Sequence, residues 1–428
     1  MKFSTICILG LGYIGLPTAS TFATHGINVL GVDVNLHVLE TLQNGGLHIQ
    51  EPGLGSLVQD AFRSGRLQVN AKPQKADAFI IAVPTPIHPD KSADLSHVKA
   101  AAESIVPVLR AGNLVILEST SPPRTTEQVV QPILERSGLK AGRDFLLAYS
   151  PERVLPGQIL KELVENARVI GGIDRASAEA GRDLYAAFVR GEIILTDAVT
   201  AETVKLIENT YRDVNIALAN ELSRLAEITG VDIWEAIKIA NRHPRVHLLN
   251  PGPGVGGHCI SVDPWFLVET AAGVTPLIRT AREVNDTQPE YVVERLAHIL
   301  GGLPGRRVAA LGLTYKADVD DIRESPALEV VALLEKGGAE VAAFDPHAQE
   351  AVLAGSRACS VEDAVRGSDC VLLLVGHAQL RAIRPENVKP LVRQPVVMDC
   401  QNAWDRAQWE SCGFRFHLLG DGRTHPRG

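Results

Sequence analysis

The sequence predicts an α/β protein in which two doubly wound domains are joined by a central helical domain with one long helix. Short apolar runs alternate with helix-length segments near both ends of the chain, a pattern typical of parallel sheets covered by helices. One uninterrupted helical pattern, at 200–229, lies between them. The chain has 428 residues, more than one hydrophobic core usually organises. We therefore expect three domains, at residues 1–196, 197–302 and 303–428.

Composition and charge exclude several classes of protein. Hydrophobic residues make up 45% and charged residues 21% of the chain, as in ordinary globular proteins. The net charge of −8 argues against a nucleic-acid or anionic-membrane partner, although a local basic pocket for phosphates stays allowed. The first apolar run, before Gly10, is too short for a signal peptide or a membrane span. We expect a cytoplasmic protein with no membrane partner.

The six cysteines lack the paired spacing of a disulfide framework or a zinc site. We therefore expect no metal, and we expect most of these thiols to be small buried hydrophobes. They are Cys7, Cys259, Cys359, Cys370, Cys400 and Cys412.

The first strand, turn and helix carry a glycine pattern typical of dinucleotide binding. A strand before Gly10 leads into the turn, and the next strand ends at Asp33, 18 residues after Gly15. Glycines there let a pyrophosphate approach the helix N-terminus, while the carboxylate accepts from a ribose hydroxyl and repels a 2′-phosphate. The pattern predicts NAD rather than NADP; a purely structural turn is the alternative. The predicted cofactor residues are Gly10, Gly12, Tyr13, Ile14, Gly15 and Asp33.

Two later strands end in polar segments on the edge of the sheet where open sheets bind ligands. These segments are Val-Pro-Thr-Pro at 83–86 and Glu-Ser-Thr at 118–120. We assign Pro84, Thr85 and Thr120 to the cofactor site, with a rigid turn and a helix cap as the alternative. The apolar runs that continue this sheet are 78–83, 114–117 and 145–148.

The long helical pattern has apolar residues at spacings of three and four, so it is a candidate linking or dimerising helix. Lys205 and Asn209 are four residues apart and share one face, away from the apolar stripe. A solvated helix surface is the alternative for this pair. The apolar residues of the stripe are Val204, Ile207, Tyr211, Val214, Leu218, Leu222 and Leu225.

Cys259 differs from the other cysteines in its surroundings. It follows a loop with four glycines in 252–257, and a helix begins near Asp263 and Pro264. A thiolate near a helix N-terminus is stabilised and nucleophilic, so we interpret Cys259 as a nucleophile. The alternative is an inert core cysteine.

A second α/β domain begins with the strand and turn at 307–313, and strands follow at 341–345, 371–375 and 395–399. Lys316 and Arg323 lie after its first strand and suit a diphosphate. In the first domain, the polar segment 149–153 either binds substrate or turns the chain. Residues 423–428 are expected to be a frayed tail.

Together these motifs resemble the nucleotide-sugar 6-dehydrogenase family over nearly the whole chain. The most specific is Gly254-Val-Gly-Gly-His-Cys259-Ile-Ser-Val-Asp263-Pro. The others are the N-terminal glycine turn, Val-Pro-Thr-Pro at 83–86, Ser-Pro-Glu-Arg at 150–153, Glu202…Lys205…Glu208-Asn209 and Lys316…Arg323-Glu-Ser-Pro. The resemblance implies two Rossmann-like domains and a homodimer paired through the long helix.

The resemblance also implies a four-electron oxidation of a sugar alcohol to a carboxylate by NAD. Cys259 would carry a thiohemiacetal and then a thioester, with the other catalytic residues around the reacting carbon. Lys205, or a water held by Asp263 and Thr120, would act as base. Either Glu152 or Asp263 would assist hydrolysis. The implied catalytic residues are Cys259, Lys205, Asn209, Asp263, Glu152 and Thr120, and the implied substrate residues are Glu152, Arg153, Lys205, Asn209, Arg245, His247, Gly256, Lys316 and Arg323.

Within the family, the segment from His258 to Phe266 is most similar to the branch that oxidises UDP-N-acetyl-D-mannosamine, and Trp265-Phe266 carries much of this choice. Ser261 departs from the alanine expected there. UDP-N-acetylglucosamine and UDP-glucose are the alternative substrates. Arg245 and His247 are hypothesised to contact sugar or nucleotide, across a dimer.

Two other functions compete with this one. A β-hydroxyacid dehydrogenase shares the first domain and a Lys/Asn pair but needs neither the cysteine nor the second α/β domain. A non-catalytic nucleotide-sugar sensor would keep the fold without turnover. The second α/β domain after Gly305 argues against the first, and the intact Cys, Lys, Asn and Asp set argues against the second.

Overall fold

The computed structural model describes residues 3–155, 157–348 and 357–423. It divides into two compact units: an N-terminal unit of Met1–Glu208 with Trp265–Ala272, and a C-terminal unit of Asn209–Pro264 with Gly273–Gly428. No helix among the described residues is long and apolar enough to span a bilayer. Domain boundaries at 196 and 303 stay a prediction, and residues 424–428 of the expected tail lie outside the described part.

The N-terminal unit contains one eight-stranded sheet. Its strands are β1 (Thr5–Leu9), β2 (Asn28–Val32), β3 (Leu67–Asn70), β4 (Ala78–Ile81), β5 (Leu114–Leu117), β6 (Leu146–Tyr149), β7 (Arg168–Gly172) and β8 (Ile193–Asp197). They lie in the order β3-β2-β1-β4-β5-β6-β7-β8. The first six are parallel to their neighbours, which confirms the predicted Rossmann-like sheet.

The expectation of a wholly parallel sheet is wrong at one edge. β7 pairs with β6 in antiparallel orientation, and β8 is parallel to β7. An antiparallel neighbour needs no right-handed crossover, and otherwise parallel sheets commonly carry such strands at an edge. This edge brings Arg168, the first residue of β7, into the unit's interior, where it is buried.

Helices cover both faces of the sheet. Alternate residues of β1 face opposite cores: Ile6 and Ile8 belong to one apolar cluster, and Cys7 and Leu9 to the other. A strand buried on both faces reads as a continuous apolar run, which is why β1 was predictable. The helices are α1 (Gly15–Thr24), α2 (Leu36–Gln43), α3 (Leu54–Arg63), α4 (Ser96–Ile105), a π-helix (Thr126–Val130), α5 (Gln131–Leu134), a 3-10 turn (Glu135–Ser137), α6 (Ile159–Glu165) and α7 (Arg175–Tyr185).

The long helix, α8 (Ala198–Thr229), has 32 residues and begins in the N-terminal unit. Its apolar stripe is turned outward: Ile207, Tyr211, Leu218 and Leu225 are between 46% and 58% exposed. Its buried positions include polar ones instead, namely Glu202, Asn209, Asp213 and Asn220. The polar face of this helix is therefore an inner face.

The C-terminal unit contains a five-stranded parallel sheet. Its strands are β9 (Arg307–Leu311), β10 (Glu340–Phe344), β11 (Cys370–Leu373), β12 (Val396–Asp399) and β13 (Arg415–Leu418). They lie in the order β10-β9-β11-β12-β13. Every pairing is parallel, which confirms the second doubly wound sheet.

Helices surround this second sheet and precede it in the chain. They are α9 (Ile233–Ala240), α10 (Asp263–Thr270), a 3-10 turn (Ala272–Val274), α11 (Pro276–Asp286), α12 (Gln288–Leu300), α13 (Pro326–Lys336), α14 (Val361–Val365), α15 (Ala378–Arg381), α16 (Pro385–Val388) and α17 (Arg406–Ser411). α13 begins as its sequence predicts, because Ser325 accepts from the Ala327 N–H and Pro326 occupies the first turn. Both faces of the sheet carry an apolar core.

Candidate active site

The glycine turn after β1 is shaped by close approach. Leu9 pairs with Val32 on one side and Ile81 on the other, so the turn starts at the carboxyl edge of three strands. Gly10 has φ +93°, and a Cβ there would lie 2.3 Å from the carbonyl oxygen of Ala82. Only glycine meets both conditions without strain. At Gly12, by contrast, a Cβ would meet nothing within 4 Å, so the space beside it is open for a ligand.

Asp33 lies where a ribose-binding carboxylate is expected. Its Oδ2 accepts from the Leu11 N–H at 2.9 Å and its Oδ1 from the Asn35 N–H at 2.9 Å. Each carboxylate oxygen keeps a further lone pair, and the side chain is half-buried rather than enclosed. The turn, the N-terminus of α1 and Asp33 therefore fit a dinucleotide.

The polar segments after β4 and β5 are joined to each other. The Ser119 hydroxyl accepts from the Val83 N–H at 2.9 Å and donates to the Val83 carbonyl at 2.7 Å. Thr85 donates to the Thr120 carbonyl at 2.7 Å. The structure thus brings Thr85 and Thr120 together at this edge, with Pro84 exposed beside them.

Glu152 is held by an arginine that the sequence did not single out. Its Oε2 accepts from Arg168 at 2.5 Å, and its Oε1 accepts from the Arg153 N–H at 2.8 Å. Arg168 also donates to Glu118 at 3.2 Å and to Ser150 at 2.9 Å. Burial raises the pKa of Glu118 to about 7, against the opposing charge of Arg168. Arg168 was missed, and Glu118 was given no role although it belongs to the predicted polar segment 118–120, because buried charges give no pattern in a sequence.

Arg153, assigned to substrate binding, is committed to its own unit. Its Nε donates to Glu208 at 3.0 Å, its Nη2 also pairs with Glu208, and its Nη1 donates to the Ala167 carbonyl at 2.9 Å. The guanidinium therefore holds the segment after β6 against helix α8. Its role toward substrate stays a prediction.

Lys205 and Glu202 occupy the buried side of α8 within the N-terminal unit. Lys205 is half-buried. Glu202 is fully buried and accepts from the Arg124 N–H at 2.5 Å and from the N–H and hydroxyl of Thr126 at 2.8 and 2.7 Å. These bonds satisfy the N-terminus of the π-helix. Glu202 therefore fixes the segment that follows Thr120.

In the C-terminal unit, Asn209 and Asp263 are brought together as the resemblance implies. Asn209 is buried and donates from Nδ2 to Asp263 Oδ2 at 2.5 Å, and its Oδ1 accepts from Arg212. The solvated-surface alternative for Asn209 is thereby wrong. The Asp263 N–H in turn donates to the Cys259 carbonyl at 2.8 Å. One short chain of contacts thus connects helix α8 to the start of α10 and to Cys259.

The Cys259 thiol is exposed, and none of the six cysteines, all of which are described, forms a disulfide. The glycine loop before it packs against its own unit: a Cβ on Gly256 would lie 2.3 Å from the Glu324 carbonyl oxygen, and the Gly257 N–H donates to the Arg323 carbonyl. The glycines therefore allow the loop to lie against segment 315–326, and Cys259 is presented from a fixed backbone.

The remaining predicted substrate residues lie in the C-terminal unit. Lys316 is half-buried, whereas Arg323 is exposed and pairs with Asp321 at 2.6 Å. Arg245 and His247 are both exposed, in a segment held to α8 by Asn215, which donates to the His247 carbonyl at 2.7 Å. Binding roles for these residues, and for Gly256, stay predictions.

A cluster of Asp318, His347 and His377 has the side-chain types of a metal site. Its atoms are already engaged: His377 Nδ1 accepts from the Asp318 N–H at 2.9 Å, and Asp318 accepts from the Ala378 N–H at 2.8 Å. Asp345 holds the other ring nitrogen of His377 at 2.9 Å. A metal would have to displace the bond to Nδ1, so we interpret the cluster as structural. The expectation of no metal stays a prediction.

A dinucleotide turn, an exposed thiol on a fixed loop and a second doubly wound domain together define an oxidoreductase with two nucleotide ligands. The sequence matches three domains of one family: the NAD binding domain at residues 4–189, the central domain at 199–287 and the UDP binding domain at 309–406. The chain belongs to the UDP-glucose/GDP-mannose dehydrogenase family. It is an NAD-dependent nucleotide-sugar dehydrogenase, as the sequence predicted.

Individual relatives are similar over almost their whole length. UDP-N-acetyl-D-mannosamine dehydrogenase of Methanocaldococcus jannaschii is 48% identical over 98% of this chain and 97% of its own. NDP-N-acetyl-D-galactosaminuronic acid dehydrogenase of Ralstonia nicotianae is 47% identical over 94% of this chain and 97% of its own. The solved structure of UDP-D-ManNAc dehydrogenase from Pyrococcus horikoshii has a TM-score of 0.92 and 40% identity, over 98% of this chain and 99% of the other.

Proposed function

We propose that this chain is a UDP-N-acetyl-D-mannosamine 6-dehydrogenase that oxidises the C6 alcohol of the sugar to the carboxylate. One sugar, two NAD and one water give one uronate and two NADH. The carrying observation is the exposed Cys259 thiol beside the buried Asn209–Asp263 pair. The names and high identity of the archaeal relatives support the choice of sugar.

Each residue has one task in this proposal. The glycine turn and Asp33 would hold NAD, which would supply the hydride acceptor for both oxidations. Lys205 takes the proton of the C6 alcohol. Cys259 attacks the resulting aldehyde carbon, which forms a carbon–sulfur bond and gives a thiohemiacetal; its oxidation leaves a thioester on the same sulfur. Thr120, at the cofactor edge, is proposed to orient the reacting alcohol.

The thioester oxyanion and its hydrolysis need a donor and a carboxylate. Asn209 can donate one amide hydrogen to the oxyanion while the other is held by Asp263. Of the two carboxylates, we assign Glu152 to the hydrolytic water, with Asp263 as the alternative. Water attacks the thioester carbonyl, the carbon–sulfur bond breaks, and the thiol is regenerated with the sugar carboxylate.

Four further residues are proposed to bind the nucleotide sugar: Lys316, Arg323, Arg245 and His247. Lysine and arginine near the start of α13 suit a diphosphate. Arg245 and His247 are exposed and would be available to a ligand or to a second subunit.

We also infer a homodimer. Four large apolar side chains of α8 are about half exposed at positions 207, 211, 218 and 225. Exposed apolar stripes of this kind mark interaction surfaces. A cytoplasmic location, and a partner set limited to the nucleotide sugar, remain part of the proposal.

The test is the amount of NADH formed per molecule of limiting UDP-N-acetylmannosamine. Two NADH with this sugar, and little with UDP-N-acetylglucosamine or UDP-glucose, are expected. The galactosamine epimer is a fourth substrate to test, because the Ralstonia relative is 47% identical. One NADH would overturn the four-electron reaction, no NADH with any sugar would favour a sensor, and turnover of another sugar alone would overturn the substrate.

A further inference from the structure

Glu152 belongs to a buried cluster that contains two carboxylates and one guanidinium. Glu118 follows β5, Arg168 begins β7 and Glu152 follows β6. Their side chains are 0%, 4% and 9% exposed. Arg168 bonds both carboxylates, at 3.2 and 2.5 Å, so two acids share one guanidinium. If both acids were ionised, this water-excluded cluster would carry a net negative charge, which is unfavourable.

The hydrogen bonds show which carboxylate holds a proton more readily. Both oxygens of Glu152 accept from donors, Arg153 N–H and Arg168. On Glu118, only Oε1 accepts hydrogen bonds, from Tyr185 at 2.8 Å and from Arg168. Among the described residues, buried Oε2 of Glu118 has no hydrogen-bond partner. That oxygen is the natural position for the proton.

Among the described residues, the charged or titratable groups that act most strongly on Glu118 belong to this cluster. Arg168 comes from β7, Tyr185 from α7 and Glu152 from the segment after β6. The Tyr185 ring also lies 4.0 Å from the Arg168 guanidinium carbon. Burial raises the pKa of Tyr185 well above its ordinary value, so the phenol stays protonated and donates to Glu118 throughout the neutral range.

We propose that Glu118 is a positioning residue for Glu152, and that its proton decides whether Arg168 serves Glu152 alone or is shared by two carboxylates. With Glu118 protonated, the whole positive charge of Arg168 acts on Glu152 and weakens it as a base. With Glu118 ionised, the charge is divided and a second anion lies nearby, so Glu152 becomes a stronger base. This inference rests on the proposed role of Glu152 in thioester hydrolysis.

The consequence is a dependence of hydrolysis on pH. Burial raises the pKa of Glu118 to about 7, so the change falls in the neutral range. Deacylation of the Cys259 thioester is therefore expected to be faster at pH 8.5 than at pH 6. The acceleration should be larger in the native enzyme than in a variant that has no proton to lose at position 118. That extra acceleration is about three- to tenfold, because a change in basicity passes only partly into rate.

The variant is Glu118→Gln, which keeps the shape and the acceptor oxygen but cannot ionise. Thioester decay is followed in single turnovers by mass spectrometry of the Cys259 adduct. The ratio of native to variant rate should be close to one at pH 6 and rise about three- to tenfold by pH 8.5. A ratio that is the same at every pH would mean that Glu118 is merely structural and would overturn the proposal.

Glu202→Gln is the matched control, because Glu202 is a second buried glutamate with its pKa raised to about 7 and no contact with Arg168 or Glu152 among the described residues. Its rate ratio should not change with pH. Tyr185→Phe removes a donor to ionised Glu118 and should move the native rise to higher pH. An unshifted rise would contradict the proposal, and this variant replaces Glu118→Gln should the latter fail to fold.

A measurement without turnover separates this inference from the proposed function. Infrared difference spectra are measured in a Glu202→Gln background, because Glu202 is a second buried acid with its pKa raised to about 7. They should show the carbonyl band of a protonated carboxylic acid that disappears as pH rises through neutrality, and adding Glu118→Gln should remove this band. Persistence of the band at equal strength after Glu118→Gln is added would overturn the assignment to Glu118. Absence of NADH from every sugar would instead overturn the proposed function.

Discussion

Burial separates Cys259 from the thiols that cannot react. Burial raises the pKa of Cys7 and Cys370 to about 12 and that of Cys400 well above its ordinary value, so these thiols stay protonated near neutral pH. Cys259 and Cys359 are both exposed. Only Cys259 follows a glycine loop and lies one turn before α10. Exposure together with that backbone position distinguishes the proposed nucleophile from the other cysteines.

Replacing Cys259 is expected to abolish acid formation without unfolding the chain. In Cys259→Ala no thioester can form, so formation of the sugar acid, and with it the second NADH per sugar, should fall by at least about a thousandfold. The melting temperature should stay within about 1–2 °C, because an exposed side chain adds little to packing. Cys359→Ala, an exposed thiol of the same unit, is the control and should keep native activity. Two NADH per sugar from Cys259→Ala would exclude the thioester.

Glu202 gives a stability prediction whose sign follows from its pKa. Burial raises that pKa to about 7 from the ordinary 4.5, so the folded state binds a proton that the unfolded state releases. Its contribution to stability is therefore present below pH 4.5 and is lost as pH rises to about 7. In Glu202→Gln this loss is absent. Relative to the native chain, the variant should gain roughly 2–3 kcal/mol between pH 5 and pH 8, measured by urea unfolding. An equal difference at both pH values would contradict the assignment.

At the scale of the elements, a substitution in the turn after β1 can distinguish an effect on NAD binding from an effect on folding. A Cβ at Gly12 meets nothing within 4 Å, so Gly12→Ala should fold normally. The same methyl occupies the space through which a pyrophosphate would approach, so affinity for NAD should fall by roughly tenfold or more. Gly273→Ala, where a Cβ also meets nothing, is the control. Calorimetric titration with NAD checks this, and equal affinity of both variants would contradict a cofactor role for Gly12.

The sequence predicted strands that are continuous apolar runs better than strands that contain glycine, polar or exposed positions. β1, β2, β4, β5, β6 and β9 to β12 are apolar runs between turns, and periodicity is sufficient to find them. β3, β7, β8 and β13 were missed. β7 has two glycines, β3 and β13 contain polar residues, and β8 is partly exposed, so each gives a weak apolar signal. The antiparallel β6–β7 pairing depends on long-range contacts that local pattern does not encode.

The candidate site divides in the same way. Motifs located the glycine turn, Cys259, Asp263 and Asn209, because backbone shape and helix spacing are local properties. The groups around Glu152 could not be predicted in this way, because Glu118 and Arg168 are isolated charges in apolar strands or at their ends. Their contacts with each other and with Glu152 form only in the folded sheet, where the ends of three strands meet. Arg153 is the opposite case: the motif predicted that it binds substrate, but its side chain forms an ion pair with Glu208.

At the scale of the whole molecule, an aspartate follows the second strand of each sheet, but the two aspartates have different hydrogen-bond partners. Asp33 accepts two backbone bonds and is half-buried. Asp345, at the equivalent end of β10, is buried and accepts from Leu313, Thr314, His347 and Ala348 N–H groups and from His377. The second carboxylate is thereby saturated by the protein. It holds its own loops together, whereas the first stays available to a ribose.

The outward apolar stripe of α8 provides the test of assembly. Tyr211 and Leu218 are 58% and 46% exposed, and burying such side chains stabilises an interface by roughly 1.5–3 kcal/mol each. A charge placed there would be buried without a partner in a dimer but solvated in a monomer. Leu218→Glu should therefore dissociate the dimer while leaving the circular dichroism spectrum unchanged. Sedimentation equilibrium over a range of protein concentrations measures this directly. Val274→Glu, at a side chain that is 79% exposed and belongs to the 3-10 turn Ala272–Val274 rather than to α8, is the control and should stay dimeric. A native chain that sediments as a monomer, or a Leu218→Glu variant as dimeric as the control, would exclude this stripe as the subunit interface.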